Sequence, residues 1–143
     1  MTLVDANLLL YAYDASSRFH EGARSWLEER LSGTEPVGLA WITLLAFLRI
    51  ATNPRALARP LLTERAVAIV SSWLALPCVV RPEPGERHWE ILSGLMSSAQ
   101  ARGPLVMDAH LAALALEHGA VLATTDRDFA RFEGLRTVNP LDR

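Results

Sequence analysis

The chain has 143 residues, a formal net charge of −2 and a composition that is half hydrophobic. That length gives one domain burying roughly 70% of the surface its unfolded form exposes, and that composition excludes a disordered or fibrous chain. The charge excludes a protein that grips nucleic acid by bulk positive potential, so any such contact has to be local; all 14 cationic residues are Arg, the side chain that meets phosphate bidentately.

Taken in chain order, residues 2–6 read as a short strand running into an apolar helix at 7–13. A helix follows at 21–31, with Trp26, Leu27 and Leu31 inward and most of its charges outward. Residues 37–41 form a second strand and 43–51 a helix. The stretch 53–63, with Pro54 and Pro60, is a loop. A helix at 64–75 places Val67, Val70, Trp73 and Leu74 on one face, and a third strand covers 78–80. The helix at 87–100 spaces Trp89, Leu92, Met96 and Ala99 on another face. Asp108 opens a helix that runs to residue 118 and is capped by Gly119. Strands at 121–123 and 137–138 complete the chain.

Strands that alternate with helices imply an α/β fold with a mostly parallel sheet covered on both faces. The longest apolar stretches are interrupted by polar residues and fall short of a membrane span. No basic stretch precedes the first apolar run, which Asp5 interrupts, so no export leader is read. The single cysteine, Cys78, lies in an apolar run and can form no intramolecular disulfide, which fits a reducing cytoplasm.

In such sheets ligands bind beyond the carboxyl ends of the strands. Four of the six aspartates fall there: Asp5 after the first strand, Asp126 and Asp128 after the fourth, and Asp108 at the start of the helix that follows the loop at 102–107. Alone, each reads as a helix cap, and Thr125 with Asp128 as a loose capping box. Together they are more informative. If their strands are neighbours, Asp5 and Asp126 meet, and two like charges at 4 Å repel by about 4 kcal/mol at an effective dielectric near 20. A shared proton or a cation relieves that repulsion, and a sparse all-oxygen site suits Mg²⁺ or Mn²⁺.

Competing chemistry finds less support. His20-Glu21 begins a zinc-protease motif whose second histidine is missing. No Walker loop, G-x-G-x-x-G or G-x-S-x-G occurs. An aspartate phosphotransfer domain needs a lysine, and there is none. His110 lies near Asp108, whereas His88 and His118 read as surface residues.

Val4-Asp5-Ala6-Asn7, then Leu44-Leu45-Ala46-Phe47-Leu48-Arg49-Ile50 with Asn53-Pro54, then Asp108-Ala109-His110-Leu111-Ala112-Ala113 and Thr125-Asp126-Arg127-Asp128-Phe129 occur in that order. With the ending Phe132-Glu133-Gly134-Leu135 through Val138-Asn139-Pro140-Leu141, they resemble the PIN-domain ribonucleases, specifically the VapC-type toxins of toxin–antitoxin pairs. The resemblance implies a PIN-like three-layer sandwich over residues 1–143 and an Mg²⁺-dependent endoribonuclease, with Mn²⁺ as the other ion. It assigns Asp5, Asp108 and Asp126 to the metal, with Asp128 as a fourth catalytic acid, and Asn7 and Thr125 as groups that orient the carboxylates. It implies hydrolysis that leaves a 5′-phosphate and a 3′-hydroxyl. The partners it implies are an RNA such as tRNA or rRNA, a cognate antitoxin and a second copy in a homodimer, in the cytoplasm and away from membranes.

One position departs from the pattern. Many relatives of this kind carry a glutamate where this chain aligns Ala46. Thr43 and Arg49 flank it at i−3 and i+3 and so share its helix face, and Arg49 and Arg55 are phosphate-contact candidates. Glu117, nine residues beyond Asp108 and roughly 180° around the same helix, does not replace the missing acid. The departure keeps a second expectation open, a catalytically weak PIN-fold module that binds RNA or protein.

Overall fold

The computed structural model describes residues 1–142; Arg143, the last residue of the expected domain, lies outside the described residues. The elements are β1 (Thr2–Val4), α1 (Ala6–Tyr13), α2 (His20–Leu31), β2 (Val37–Gly38), α3 (Trp41–Ala51), α4 (Thr63–Leu74), β3 (Val79–Val80), α5 (His88–Ala99), α6 (Leu105–Glu117), β4 (Val121–Ala123), a 3₁₀ turn (Arg127–Arg131) and β5 (Thr137–Val138). Every strand pairing is parallel, so the sheet is wholly parallel, in the order β3-β2-β1-β4-β5. The chain builds outward from β1 to β3, returns, and builds outward on the other side through β4 and β5. The gap between β1 and β4 is therefore the topological switch point, where the flanking connections diverge and leave a crevice.

Central strands with both faces covered read as near-continuous apolar runs. Val4 and Ala123 point into one core with Leu8 and Leu9 of α1, Ala23 and Leu27 of α2, Leu44 and Phe47 of α3, and Ile69 and Trp73 of α4. Their neighbours Leu3 and Leu122 point into the other core, built mainly by α5, α6 and the segment carrying Phe129 and Phe132. The result is a three-layer α/β sandwich. Gly38 in β2 is there for lack of room, since a Cβ would stand 2.7 Å from Leu3 Cδ1. Gly119 ends α6 with φ +64°, a conformation that glycine adopts freely.

Several expected faces and boundaries shift. In α4 the inward residues are Ala66, Ile69, Val70 and Trp73, while Val67 faces solvent at 51% exposure. In α5, Leu92 and Met96 do pack inward, but Trp89 is 72% exposed and His88, expected on the surface, is buried. The second strand is shorter than expected because α3 begins at Trp41. Asp108 does not open α6: Pro104, with φ −58° and ψ −24°, caps a helix that starts three residues before Asp108, at Leu105. Asp108 thus belongs to the first helical turn, where the helix dipole favours an acid. No described helix is long and apolar enough to cross a membrane.

Candidate active site

Asp5 sits one residue beyond β1 and caps α1, its Oδ1 accepting from the Ala6 N–H at 2.8 Å. Its own N–H donates to the Ala123 carbonyl at 2.9 Å, which ties it to the end of β4. The Thr124 hydroxyl donates to Asp5 Oδ2 at 2.7 Å and accepts from the Asp126 N–H at 3.0 Å. Asp126 in turn caps the 3₁₀ turn, its Oδ1 accepting from the Asp128 N–H at 2.8 Å. One buried hydroxyl thereby joins the two strand ends at the switch point.

That hydroxyl belongs to Thr124, not to Thr125. Thr125 lines a separate hollow of 300 Å³ with Asp126, and the cap expected from Thr125 with Asp128 is made by Asp126 instead. Asn7 makes no side-chain hydrogen bond among the described residues. Replacing Thr124 by Val keeps the volume and removes both hydroxyl bonds while leaving Asp5 Oδ2 short of a donor; urea denaturation is expected to show a loss of about 1–3 kcal/mol.

A groove of 590 Å³ opens beside this node, lined by Asp5, Thr43, Ala46, Arg49, Asp108 and His110 together with apolar side chains such as Leu45, Leu92 and Met107. Two of the four acids therefore share the groove directly. Asp128 is exposed and lies 3.7 Å from Arg131.

The carboxylates are felt across the site. Burial raises the Asp5 carboxyl above its ordinary range, against the pull of the Thr124 hydroxyl and the Ala6 N–H, and Asp126 adds to the rise. Asp108 is pushed up to about 6 by burial and then by the negative charges of Asp126, Asp5 and Asp128, with Arg131 pulling the other way. Among the described residues no three His, Cys, Asp or Glu side chains come together as a group that could hold a metal ion, so Asp5, Asp108 and Asp126 do not converge as the expected set of three ligands. The acids are close enough to act on one another.

Glu117 lies apart from this cluster, as its helix position requires. Its carboxylate accepts from the Gly85 N–H at 2.7 Å and the Arg87 N–H at 3.0 Å, which holds it below the usual carboxylate range, chiefly through the Gly85 bond. It also lies 3.9 Å from Nδ1 of His88. Nε2 of His88 is 3.0 Å from Nδ1 of His110, with the two rings edge to face at 4.8 Å. Burial lowers the His110 pKa, and His88 lowers it further. This second set of groups gave no signal in the sequence, because nothing there places residue 88 under residue 110.

Known proteins share this architecture. The family described as PIN domain matches residues 2–135. Ribonuclease VapC37 of Mycobacterium tuberculosis is 46% identical over 140 residues, covering 98% of this chain and 97% of that protein. Ribonuclease VapC43 of the same species is 43% identical over 142 residues, covering 99% and 97%. Among solved structures, FitAB bound to the IR36 DNA fragment superposes with a TM-score of 0.72 at 22% identity, covering 100% of this chain and 97% of that one. Mycobacterium tuberculosis VapC20, described as a sarcin-ricin loop cleaving toxin, superposes with a TM-score of 0.68 at 17% identity, covering 95% and 99%. At those identities the structural likenesses speak to the fold. The sequence matches, nearly end to end and above 40% identity, speak to kinship: the chain belongs to the PIN-domain family, among its VapC ribonucleases.

Proposed function

We propose that the chain is a divalent-metal-dependent endoribonuclease and the toxin of a toxin–antitoxin pair. One observation carries the reading. Asp5 and Asp108 line one groove at the switch point, where burial, and then the negative charges of Asp126, Asp5 and Asp128, push Asp108 up to about 6. A fold keeps such repulsion where a bound cation relieves it.

Asp5 and Asp108 would hold the ion, with Asp126 and Asp128 beside them. Mg²⁺ or Mn²⁺, when bound, supplies charge neutralisation and Lewis acidity for phosphodiester hydrolysis. The chain's own residues do the rest. The Ala6 N–H and the Thr124 hydroxyl fix the Asp5 carboxylate in one orientation. Arg49, exposed on the α3 wall of the groove, is placed to meet a substrate phosphate, and Thr43 supports the same wall from a buried position. Apolar side chains on the walls limit water around the reacting groups.

An antitoxin as partner is supported by likenesses to toxin–antitoxin complexes such as VapBC-1 from nontypeable Haemophilus influenzae. The exposed Trp41, Leu45, Trp89 and Met107 provide apolar surface for that partner or for a second copy in a homodimer. A structured RNA, tRNA or rRNA, is the substrate class, and the cytoplasm is where it would be met.

The test is cleavage of total bacterial RNA by the antitoxin-free protein with Mg²⁺, with Mn²⁺ and with EDTA, beside an Asp5→Ala, Asp108→Ala variant. Discrete metal-dependent fragments that the variant fails to produce are expected. A folded wild-type protein that cuts nothing would overturn the enzyme reading and favour the binding module, which Ala46 in the groove wall motivates. Ala46→Glu adds an acid to that wall, and calorimetric titration is expected to show Mn²⁺ bound about tenfold more tightly.

A further inference from the structure

The catalytic reading leaves unused a set of groups centred on the buried His88. His88 is 8% exposed, and its Nδ1 has no hydrogen-bond partner. Its Nε2 meets Nδ1 of His110 at 3.0 Å, and His110 lines the groove two residues from Asp108. Behind His88, at 3.9 Å from the orphan Nδ1, stands the Glu117 carboxylate. The 85–87 turn is built around that carboxylate: two backbone N–H groups donate to it, and a Cβ on Gly85 would come within 2.6 Å of Oε2.

Neutral imidazoles each carry one proton, so the two facing nitrogens share one, and the far nitrogens are then determined. If His88 turned a lone pair toward Glu117, that pair would face a carboxylate and stay buried without a donor. An Nδ1–H toward Glu117 is the favourable arrangement. His88 Nε2 is then the acceptor, His110 Nδ1 the donor, and His110 Nε2 a lone pair. His110 is only partly buried, and its Nε2 is not among the enclosed unpartnered atoms.

We infer that Glu117 and His88 are positioning residues that fix His110 in its Nδ1–H form, so that its Nε2 accepts a hydrogen bond from a donor of the RNA strand in the groove, a ribose 2′-hydroxyl or a nucleobase amine. The inference rests on the ribonuclease reading. It gives the groove a way to select substrate that is separate from the acids, and a 2′-hydroxyl contact distinguishes RNA from DNA.

Two measurements test it. In ¹⁵N-edited NMR of the metal-free full chain, His88 and His110 are both expected as Nδ1–H tautomers, and Glu117→Gln is expected to shift His110 toward Nε2–H. His110 as Nε2–H in the wild type would overturn the relay whether or not the protein cuts RNA. The second uses an oligoribonucleotide spanning a site mapped in total RNA, with single 2′-deoxy substitutions and, separately, nucleobases lacking their amine. One substitution is expected to slow the wild type about tenfold, the size of one hydrogen bond. His110→Phe is expected to be about tenfold slower on the unmodified strand and indifferent to that substitution, with His110→Gln recovering part of the rate. Whichever series carries the effect identifies the donor. Equal rates for His110→Phe and wild type, or equal sensitivity to every substitution, would overturn the contact. Absence of cleavage by the wild type would overturn the ribonuclease reading and the substrate contact together, with the tautomers still deciding the relay.

Discussion

Asp108→Asn is expected to lower metal-dependent cleavage by about a hundredfold or more and, in the absence of metal, to make the folded chain more stable. The first effect follows from removing a carboxylate from the groove. The second follows from its raised pKa. The folded chain holds a proton on Asp108 up to about pH 6, against an ordinary value of 3.8. Folding therefore takes up a proton in that window, so the stability this group contributes is present at low pH and lost as pH rises through about 6. A shift of that size corresponds to about 3 kcal/mol if unscreened. Asp108 is only half-buried, and solvent screening reduces the figure to about 1 kcal/mol. At pH 7.5 without metal, Asp108→Asn should raise Tm by about 2–4 °C. At pH 4 the advantage should disappear, and saturating Mg²⁺ should narrow it by stabilising the wild type alone. Calorimetric scans at the two pH values, with and without the ion, read all of this. A variant less stable than wild type at pH 7.5 would mean that the ionised Asp108 carboxylate does not burden the metal-free fold.

Trp73→Ala is expected to cost about 3–5 kcal/mol in urea denaturation, a large share of the 5–15 kcal/mol that typically separates folded from unfolded chains. Trp73 is 2% exposed and packs edge to face on Phe47 at 4.8 Å and on Tyr13 at 5.7 Å, which joins α4 to α3 and α1. Phe47 directly follows Ala46 and lies two residues before Arg49, so this aromatic cluster backs the wall of the groove. Its indole Nε1 is buried without a partner. Trp73→Phe therefore trades a small cavity against the removal of an unsatisfied donor and should cost less than half as much as the alanine.

The order of elements and the strand-end acids were legible in the sequence, because the rule that parallel sheets bind ligands beyond their carboxyl ends converts strand positions into a site without any side-chain detail. Thr43 and Arg49 were legible as companions of Ala46 because helical spacing puts them on one face. What failed was what periodicity does not resolve. Near a doubly covered strand end, alternation cannot tell which of Thr124 and Thr125 turns inward, and the buried one proved to be Thr124. Large apolar side chains drew the face assignments toward Val67 and Trp89, although the residues buried there are the smaller Ala66 in α4 and Leu95 with His88 in α5. The start of α6 was carried by Pro104, a residue at home at helix starts, whereas Asp108 attracted the boundary as a cap.

The pairing of β1 with β4 has a consequence for the time at which the site comes into being. Asp5 is held by Ala123 and Thr124, which follow it by more than a hundred residues. At about 5–20 residues per second, synthesis takes roughly 6 to 24 s to pass from one to the other. Until then the emerging chain has Asp5 without the strand that orients it. A product that stops short of β4 carries Asp5 and Asp108 but lacks both the hydroxyl node and Asp126. The strand-end node is thus assembled only after nearly all of the chain has been made.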